Sequence, residues 1–217
     1  MRHVIWDWNG TLFDDLDVVV AAVNHSLELF DAAPIDADGY RDHYTRPVYR
    51  FYERLLEREV TAAEWEQIDI TFHASYRRRL NEARLTADAW AALDLVAGGG
   101  SSQSLLSMWW HDELVPAADA WGIARSMIRV DGNRGEAGET KAVHLAKHLA
   151  ALDGNVPADP SRVLVIGDSL DDAVAAGEVG VPCVLYDGGS HHRHELDAAG
   201  VPVAESLVEA LHVGGVI

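Results

Sequence analysis

The chain has 217 residues, one cysteine, and a net charge of −18 at pH 7 from 35 acidic and 17 basic residues. The length fits one large domain or a core domain with a smaller insertion, and one cysteine excludes an internal disulfide framework. The negative charge disfavours binding to nucleic acid and to anionic membranes. No apolar run approaches the ~18 residues of a membrane span. We therefore expect a soluble, cytoplasmic protein, and the sequence leaves its oligomeric state open.

The chain begins with a short apolar run over residues 4–6 that stops at Asp7. This pattern predicts a buried strand that presents a carboxylate at its end. Gly10 and Thr11 follow, and a flexible residue beside a hydroxyl suits a loop around an anion. Over residues 16–30 the apolar positions recur every three or four residues, which predicts an amphipathic helix.

Helical patterns continue over the next fifty residues. One helix is predicted over residues 37–56, and another begins near Thr61, where Thr61 and Glu64 match a capping box. No β pattern occurs in this part of the chain. We therefore predict that residues 15–84 form an all-helical cap domain inserted after the first strand. Within it, Arg46 is the residue that we expect to contact substrate.

After this segment, strand-like and helical runs alternate. The predicted strands are 103–107, 127–130, 162–166 and 182–186. The predicted helices are 87–96, 113–121, a helix that begins at Lys141, and 171–179. Residues 132–138 are predicted to form a loop. The alternation predicts an α/β fold, a Rossmann-like core with a parallel sheet, formed by residues 1–14 and 85–217. Ligands bind such sheets beyond the carboxyl ends of the strands. Asp7, Ser107 and Asp168 follow strands and should share one site.

Four short segments resemble the motifs of the haloacid dehalogenase superfamily, in the family's order. Asp7 opens the run Asp-Trp-Asn-Gly-Thr-Leu, which is similar to the first motif, Asp-x-Asp-Gly-Thr-Leu. Ser107 and Lys141 match the second and third motifs, and Val-Leu-Val-Ile-Gly-Asp-Ser-Leu-Asp-Asp at 163–172 matches the fourth. The resemblance covers nearly the whole chain, and the helical insertion resembles the family's small cap. The alternative is a doubly wound domain whose acidic strand ends match by coincidence.

The resemblance implies a role for each motif residue. Asp7 would be a nucleophile that forms an aspartyl-phosphate. Mg²⁺ would be held by Asp7, Asp168 and the backbone carbonyl of Asn9, with Asp172 as a further candidate ligand, since Mg²⁺ prefers oxygen ligands. The predicted substrate- and phosphate-binding residues are Gly10, Thr11, Ser107, Met108, Lys141 and Arg46.

Asn9 departs from the family pattern, because the second Asp of the first motif is replaced. In the family's phosphatases that carboxylate protonates the leaving group and later activates water. Asparagine can donate a hydrogen bond but cannot shuttle a proton. General acid–base catalysis contributes ~10²–10⁴-fold, so we expect slow hydrolysis of alkyl phosphates and a smaller deficit for esters with good leaving groups.

The expected function is Mg²⁺-dependent hydrolysis of a small phosphorylated metabolite through an aspartyl-phosphate. Two alternatives stay open. One is a catalytically weakened relative that acts as a phosphate-ligand sensor or binding protein. The other is a metal-independent carbon–halogen hydrolase, with which Asn9 is compatible but for which the acidic fourth motif would be superfluous.

Two smaller predictions concern the last third of the chain. Cys183 lies in an apolar run and should be a small core residue. Ser190 is predicted to cap a helix, with His191, His192 and His194 exposed beyond it.

Overall fold

The protein is described by a computed structural model that covers residues 2–135, 139–152 and 154–217. Its strands are β1 (His3–Trp6), β2 (Phe13–Asp14), β3 (Arg84–Leu85), β4 (Ser102–Trp110), β5 (Val130–Asn133), β6 (Val163–Gly167), β7 (Cys183–Tyr186) and β8 (Val203–Ala204). Its α-helices are α1 (Leu16–Leu27), α2 (Ala37–His43), α3 (Tyr49–Leu56), α4 (Ala62–Arg79), α5 (Ala89–Gly98), α6 (His111–Ala120), α7 (Lys141–Ala151), α8 (Leu170–Val179), α9 (Arg193–Asp197) and α10 (Leu207–Val213).

Six of these strands form one parallel sheet in the order β5-β4-β1-β6-β7-β8. Along β1, Val4 and Trp6 join an apolar cluster on one face, while Ile5 joins a second cluster on the other. Because the sheet is buried on both faces, the sequences of its strands are continuous apolar runs. The predicted Rossmann-like α/β core is confirmed, and Cys183 is buried in β7 as predicted. None of the described helices is both long and apolar enough to cross a bilayer.

Helices α1 to α4 lie between β2 and β3. These two short strands pair antiparallel, with Phe13 opposite Leu85 and Asp14 opposite Arg84. The helices share an apolar cluster of their own, whose most buried members include Leu27, Phe51, Tyr52 and Ile68. The capping box of Thr61 and Glu64 starts α4 as predicted. The helical character of the insertion is confirmed, and its standing as a separate domain over residues 15–84 stays a prediction.

Two elements differ from the sequence prediction. The single helix over residues 37–56 is wrong, because α2 ends at His43 and α3 begins at Tyr49. Pro47 explains the break, since proline lacks the N–H that a helix needs and keeps the preceding Arg46 out of helical geometry. The strand predicted over 127–130 lies instead at Val130–Asn133. The loop predicted from residue 132 therefore starts later, and its residues 136–138 lie outside the described part of the chain.

A buried histidine sits in the first strand. His3 is fully buried, and its two ring nitrogens lie 2.8 Å from the hydroxyls of Ser102 and Ser104. Because hydroxyls both donate and accept, they satisfy a neutral imidazole. Burial, with a smaller contribution from His148, lowers the pKa of His3 from 6.5 to about 4. The folded protein therefore holds His3 in its neutral form.

This histidine should make folding sensitive to acid. Between pH 6.5 and about 4 the unfolded chain binds a proton at His3 that the folded chain does not, so stability is lost as the pH falls. At pH 4.5 the loss attributable to His3 is about 2–3 kcal/mol. Urea titrations give the free energy of unfolding at pH 7 and at pH 4.5. The difference between these two free energies should be about 2–3 kcal/mol smaller in His3→Gln than in the wild type. The exposed His212→Gln should keep the wild-type difference, and equal differences in all three proteins would contradict the prediction.

Candidate active site

The central strand delivers a carboxylate to the carboxyl edge of the sheet. β1 ends at Trp6, and the backbone N–H of Asp7 still donates to the carbonyl of Ile166 in β6 at 2.9 Å. β6 itself ends at Gly167, so that Asp168 follows directly. Ser107 lies within the longer β4 on the other side of β1. The three residues predicted to share one site line one cavity.

The loop after Asp7 supports Asp168. Gly10 has a φ of +72°, and a Cβ there would lie 2.5 Å from Oδ2 of Asp168. Gly189 is equally restricted, since its Cβ would lie 2.0 Å from the same oxygen. The fully buried hydroxyl of Thr11 donates to Oδ1 of Asp168 at 3.2 Å. Thr11 therefore orients this carboxylate and does not line the cavity where it was predicted to contact phosphate.

A buried acidic cluster forms the floor of the site. One carboxylate oxygen each from Asp7, Asp168 and Asp172 lie within 4.8 Å of one another. Lys141, the first residue of α7, places Nζ 2.6 Å from Oδ1 of Asp7 and 2.5 Å from Oδ1 of Asp172. The three carboxylates and one ammonium carry a net charge of −2 when all are ionised. This excess negative charge suits a divalent cation.

Asp7 and Asp168 bind protons more tightly than ordinary carboxylates do. Burial, together with the charges of Asp172 and Asp168, raises the pKa of Asp7 to about 8, although Lys141 opposes the shift. Burial and the charge of Asp172 raise the pKa of Asp168 to about 6. Despite its own burial, the pKa of Lys141 is raised by Asp172 and Asp7, so the ammonium stays charged. A bound cation would stabilise the ionised carboxylates.

The donors fit Mg²⁺, which takes hard oxygen ligands and is usually held by one or two carboxylates. Asp7 and Asp168 both line the cavity. Asp172 belongs to the cluster by distance but does not line this cavity. Its Oδ1 contacts Lys141, and its Oδ2 accepts from the N–H and hydroxyl of Ser169. Its geometry is that of a residue that holds Lys141 in place.

Asn9 has a fixed orientation. Its Nδ2 donates to Oδ2 of Asp15 and to the hydroxyl of Tyr76, both at 2.8 Å, and its Oδ1 accepts a long 3.4 Å bond from Ser107. Tyr76 donates in turn to Asp15 at 2.6 Å, and the N–H of Gly10 donates to the other oxygen of Asp15 at 3.0 Å. Asn9 therefore faces Ser107 with an acceptor oxygen, and both hydrogens of its amide are committed elsewhere.

Asp15 and Tyr76 are the site residues that the sequence analysis missed. Asp15 is 2% exposed, whereas the neighbouring Asp14 lies in β2 and pairs with Arg84 at the surface. Alternation along β2, with Phe13 inside and Asp14 outside, is a signal that could have placed Asp15 inside. Nothing in the sequence connects Tyr76 to this loop.

The remaining predicted residues lie around the same cavity. Ser107 is buried and accepts from the N–H of Trp109 at 3.1 Å, and Met108 also lines the cavity. Arg46 reaches the cavity from the segment between α2 and α3. Its Nε lies 2.7 Å from Oδ2 of Asp171 at the start of α8, and both side chains are nearly half exposed. This ion pair joins the helical segment to the core.

The histidine segment differs from its prediction. Ser190 does not cap a helix; its N–H donates to Oδ2 of Asp168 at 2.9 Å, and His192 is the N-cap residue of α9. His191 is buried, and His192 lies 2.9 Å from Asp42 of α2. All three histidines were expected to be exposed, and only His194 is. The segment therefore joins the acidic cluster to the helical insertion.

Comparisons with known proteins agree with this geometry. The family described as HAD-hydrolase-like matches residues 137–210. The phosphoglycolate phosphatase of Mesorhizobium japonicum is 23% identical over 95% of this chain and 96% of its own length. That of Synechococcus elongatus is 28% identical over 92% and 90%. A haloacid dehalogenase-like family hydrolase of Streptococcus pneumoniae superposes with a TM-score of 0.83 at 17% identity, covering 98% of this chain and 97% of that one. The matches in sequence support a haloacid dehalogenase-like hydrolase similar to these two phosphatases, and the structural likeness shows a shared fold.

Proposed function

We propose that the protein is a Mg²⁺-dependent phosphatase that transfers the phosphoryl group of a small phosphate monoester to Asp7. The observation that supports this most strongly is the buried cluster of Asp7, Asp168 and Lys141 at the carboxyl edge of the sheet, facing a cavity. An oxygen of Asp7 attacks phosphorus, and the bond from phosphorus to the ester oxygen breaks. Water then cleaves the aspartyl-phosphate, which releases phosphate and returns the Asp7 carboxylate.

Each neighbouring group has a role in this proposal. Lys141 offsets the negative charge of the phosphoryl oxygens, and Ser107 and the N–H of Met108 supply hydrogen bonds. Asp7, Asp168 and the backbone carbonyl of Asn9 would hold Mg²⁺. When bound, the ion would neutralise charge on the phosphoryl group and orient it for attack. In the same proposal, residues 15–84 form a cap that closes over the core (1–14 and 85–217), and Arg46 contacts substrate. The cytoplasmic location stays a prediction.

Phosphate release and trapping of the intermediate test the proposal. The protein is mixed with small phosphate monoesters, with Mg²⁺ or with EDTA, and phosphate is measured. With a ³²P-labelled substrate, acid quenching should leave label on the protein that hydroxylamine removes, as expected for an acyl phosphate. Turnover of 2-haloacids without metal would favour the carbon–halogen alternative. Phosphate-ester binding without turnover of any ester would favour a binding protein.

The metal site gives a separate prediction. Asp168→Asn should weaken Mg²⁺ binding at least tenfold and lower activity with it, because it removes one of the two carboxylates of the acidic cluster that line the cavity. The measurement is calorimetric titration of Mg²⁺ into the substrate-free protein. Asp94→Asn, which changes an exposed carboxylate on α5, is the matched control and should bind like the wild type. Unchanged affinity in Asp168→Asn would place the metal elsewhere.

A further inference from the structure

The cavity beyond Asp7 extends far into the helical insertion. Its volume is about 350 Å³, within the range of small-molecule sites, and an apolar cavity of about 150 Å³ is enough for benzene. A single phosphoryl group would leave most of this space unfilled. The leaving group of the substrate is therefore what the remaining volume must accommodate.

Aromatic rings supply much of the cavity wall. They include Tyr44, Phe51, Trp65, Phe72, Tyr76 and Trp109. Phe72 stacks on Tyr76 with ring centroids 5.9 Å apart, and Tyr76 meets Trp109 edge to face at the same distance. Such a wall presents ring faces and ring edges to a further aromatic ring. Aromatic pairs prefer offset-stacked and edge-to-face contacts, and this wall allows both.

The charges around the cavity disfavour a leaving group with a second negative charge. Among the described residues that line it, five are aspartates, namely Asp7, Asp15, Asp69, Asp168 and Asp171, and two are permanent cations, Arg46 and Lys141. Both cations already contact carboxylates of the protein. A carboxylate on the leaving group would meet repulsion here, whereas a neutral ring would not.

The groups around position 9 supply no acidic proton to a leaving group. Both amide hydrogens of Asn9 are donated to Asp15 and Tyr76. The two oxygens of Asp15 accept from Asn9, Tyr76 and Gly10, so both are occupied by donors of the protein. The hydroxyl of Tyr76 donates its hydrogen to Asp15 at 2.6 Å. Asn9 and its two partners therefore offer no proton to a departing substrate oxygen.

Phenols tolerate this departure and aliphatic alcohols do not. The pKa of a phenol such as the tyrosine side chain is about 10. This value lies about six units below the pKa of water, ~15.7, and aliphatic alcohols are similar to water in this respect. A phenolate leaving group is thus favoured by the aromatic wall, by the scarcity of free positive charge and by the lack of an acid at position 9. Building on the proposed phosphatase function, we propose that the substrate is a phosphate monoester of a phenol, whose ring packs against the aromatic wall formed by Phe72, Tyr76 and Trp109. The phosphorus–oxygen bond breaks to give a phenolate, which takes its proton from solvent.

Four substrates separate the two components of this proposal. Phenyl phosphate has a ring and a good leaving group, benzyl phosphate has only the ring, acetyl phosphate has only the good leaving group, and 2-phosphoglycolate has neither. We expect kcat/KM for phenyl phosphate to exceed that for 2-phosphoglycolate at least 100-fold. KM should be lower for the two ring compounds, and the single-turnover rate of Asp7 phosphorylation should be higher for phenyl and acetyl phosphate.

The possible outcomes distinguish this proposal from the phosphatase function on which it rests. Phosphate release from none of the four would overturn the phosphatase function itself. A kcat/KM for 2-phosphoglycolate that equals or exceeds that for phenyl phosphate would overturn the phenolic substrate and leave the phosphatase standing. Equal single-turnover rates of Asp7 phosphorylation by benzyl and phenyl phosphate would show that a nearby group, such as His73 on the cavity wall, protonates the leaving group. That result would also overturn the proposal.

A cavity variant provides an independent test. Val19 lines the cavity from α1, and Val19→Phe should fill the space that the ring occupies. The ratio of kcat/KM for phenyl phosphate to that for acetyl phosphate should fall at least tenfold, while Val174→Phe, at a 58% exposed position on α8, should keep the ratio. An unchanged ratio in a folded Val19→Phe protein would refute ring binding in this cavity. A phosphotyrosyl peptide, assayed in parallel, distinguishes a protein-borne from a free phenolic phosphate by its kcat/KM.

Discussion

Asp7→Asn should lower the rate of phosphate release by a factor of about 10⁴ or more, the scale seen when enzymes lose their nucleophile. The change removes the attacking oxygen and alters side-chain volume very little. The measurement is phosphate release from phenyl phosphate at saturating Mg²⁺, with circular dichroism to establish the fold. Asp14→Asn, on the outward face of β2, is the matched control and should retain full activity. Undiminished turnover in Asp7→Asn would remove this residue from the mechanism.

The same variant should be more stable than the wild type when metal is removed. The pKa of Asp7 is raised from 3.8 to about 8 in the folded protein, so ionisation of this carboxylate costs folding free energy as the pH rises between those values. Asparagine carries no charge and relieves the repulsion by Asp168 and Asp172. Melting temperatures at pH 7 in EDTA should therefore be higher for Asp7→Asn. A lower melting temperature would show that the ion pair with Lys141 outweighs the repulsion.

Asn9→Asp should accelerate the hydrolysis of alkyl phosphates, with an upper bound of the ~10²–10⁴-fold that general acid–base catalysis supplies. The new carboxyl would lie where the amide is now 2.8 Å from Asp15. Two carboxylates at such a distance share a proton, so one of them stays protonated near neutral pH. The gain should be smaller for phenyl phosphate, because phenolate leaves without protonation. The assay compares kcat for benzyl and phenyl phosphate in both proteins.

An exchange of the two side chains sharpens this test. In the double variant Asn9→Asp/Asp15→Asn the hydrogen bond between the two positions is retained with its direction reversed, and the net charge of the site is unchanged. It should show the gain on benzyl phosphate without the stability loss expected from two adjacent carboxylates. Mass spectrometry of the wild-type Asn9-Gly10 peptide is a necessary control, since deamidation creates the same side chain. Loss of activity on every substrate in both variants would count against the phosphatase proposal.

The fold of the core could be predicted because its signals are local. Strands buried on both faces must be continuously apolar, and the alternation with helices admits few other arrangements. Asp7 and Asp168 follow such strands directly, so their convergence at one edge follows from the topology. The offset of β5 was missed because Met127 and Ile128 are apolar without being part of a strand.

The surroundings of Asn9 could not be predicted, because they depend on contacts between distant parts of the chain. Tyr76 and Asp15 are 61 positions apart and meet only when α4 packs on α1. The role of Thr11 depends on Asp168, 157 positions away. Motif resemblance assigns such residues a general role, and the packing of this particular chain decides which partner each hydroxyl or amide contacts.

The short pairing of β2 with β3 has a consequence for how this protein could diversify. It brings the entry and the exit of the helical segment side by side, at Asp14 and Arg84. Segments whose two ends adjoin can be exchanged or lengthened with little effect on the rest of a fold. Recombination at this ribbon would replace nearly the whole aromatic wall in one event and leave Asp7, Asp168, Asp172 and Lys141 untouched. New substrate preferences would then arise by inheritance of a single contiguous stretch of gene, without rebuilding the reaction centre.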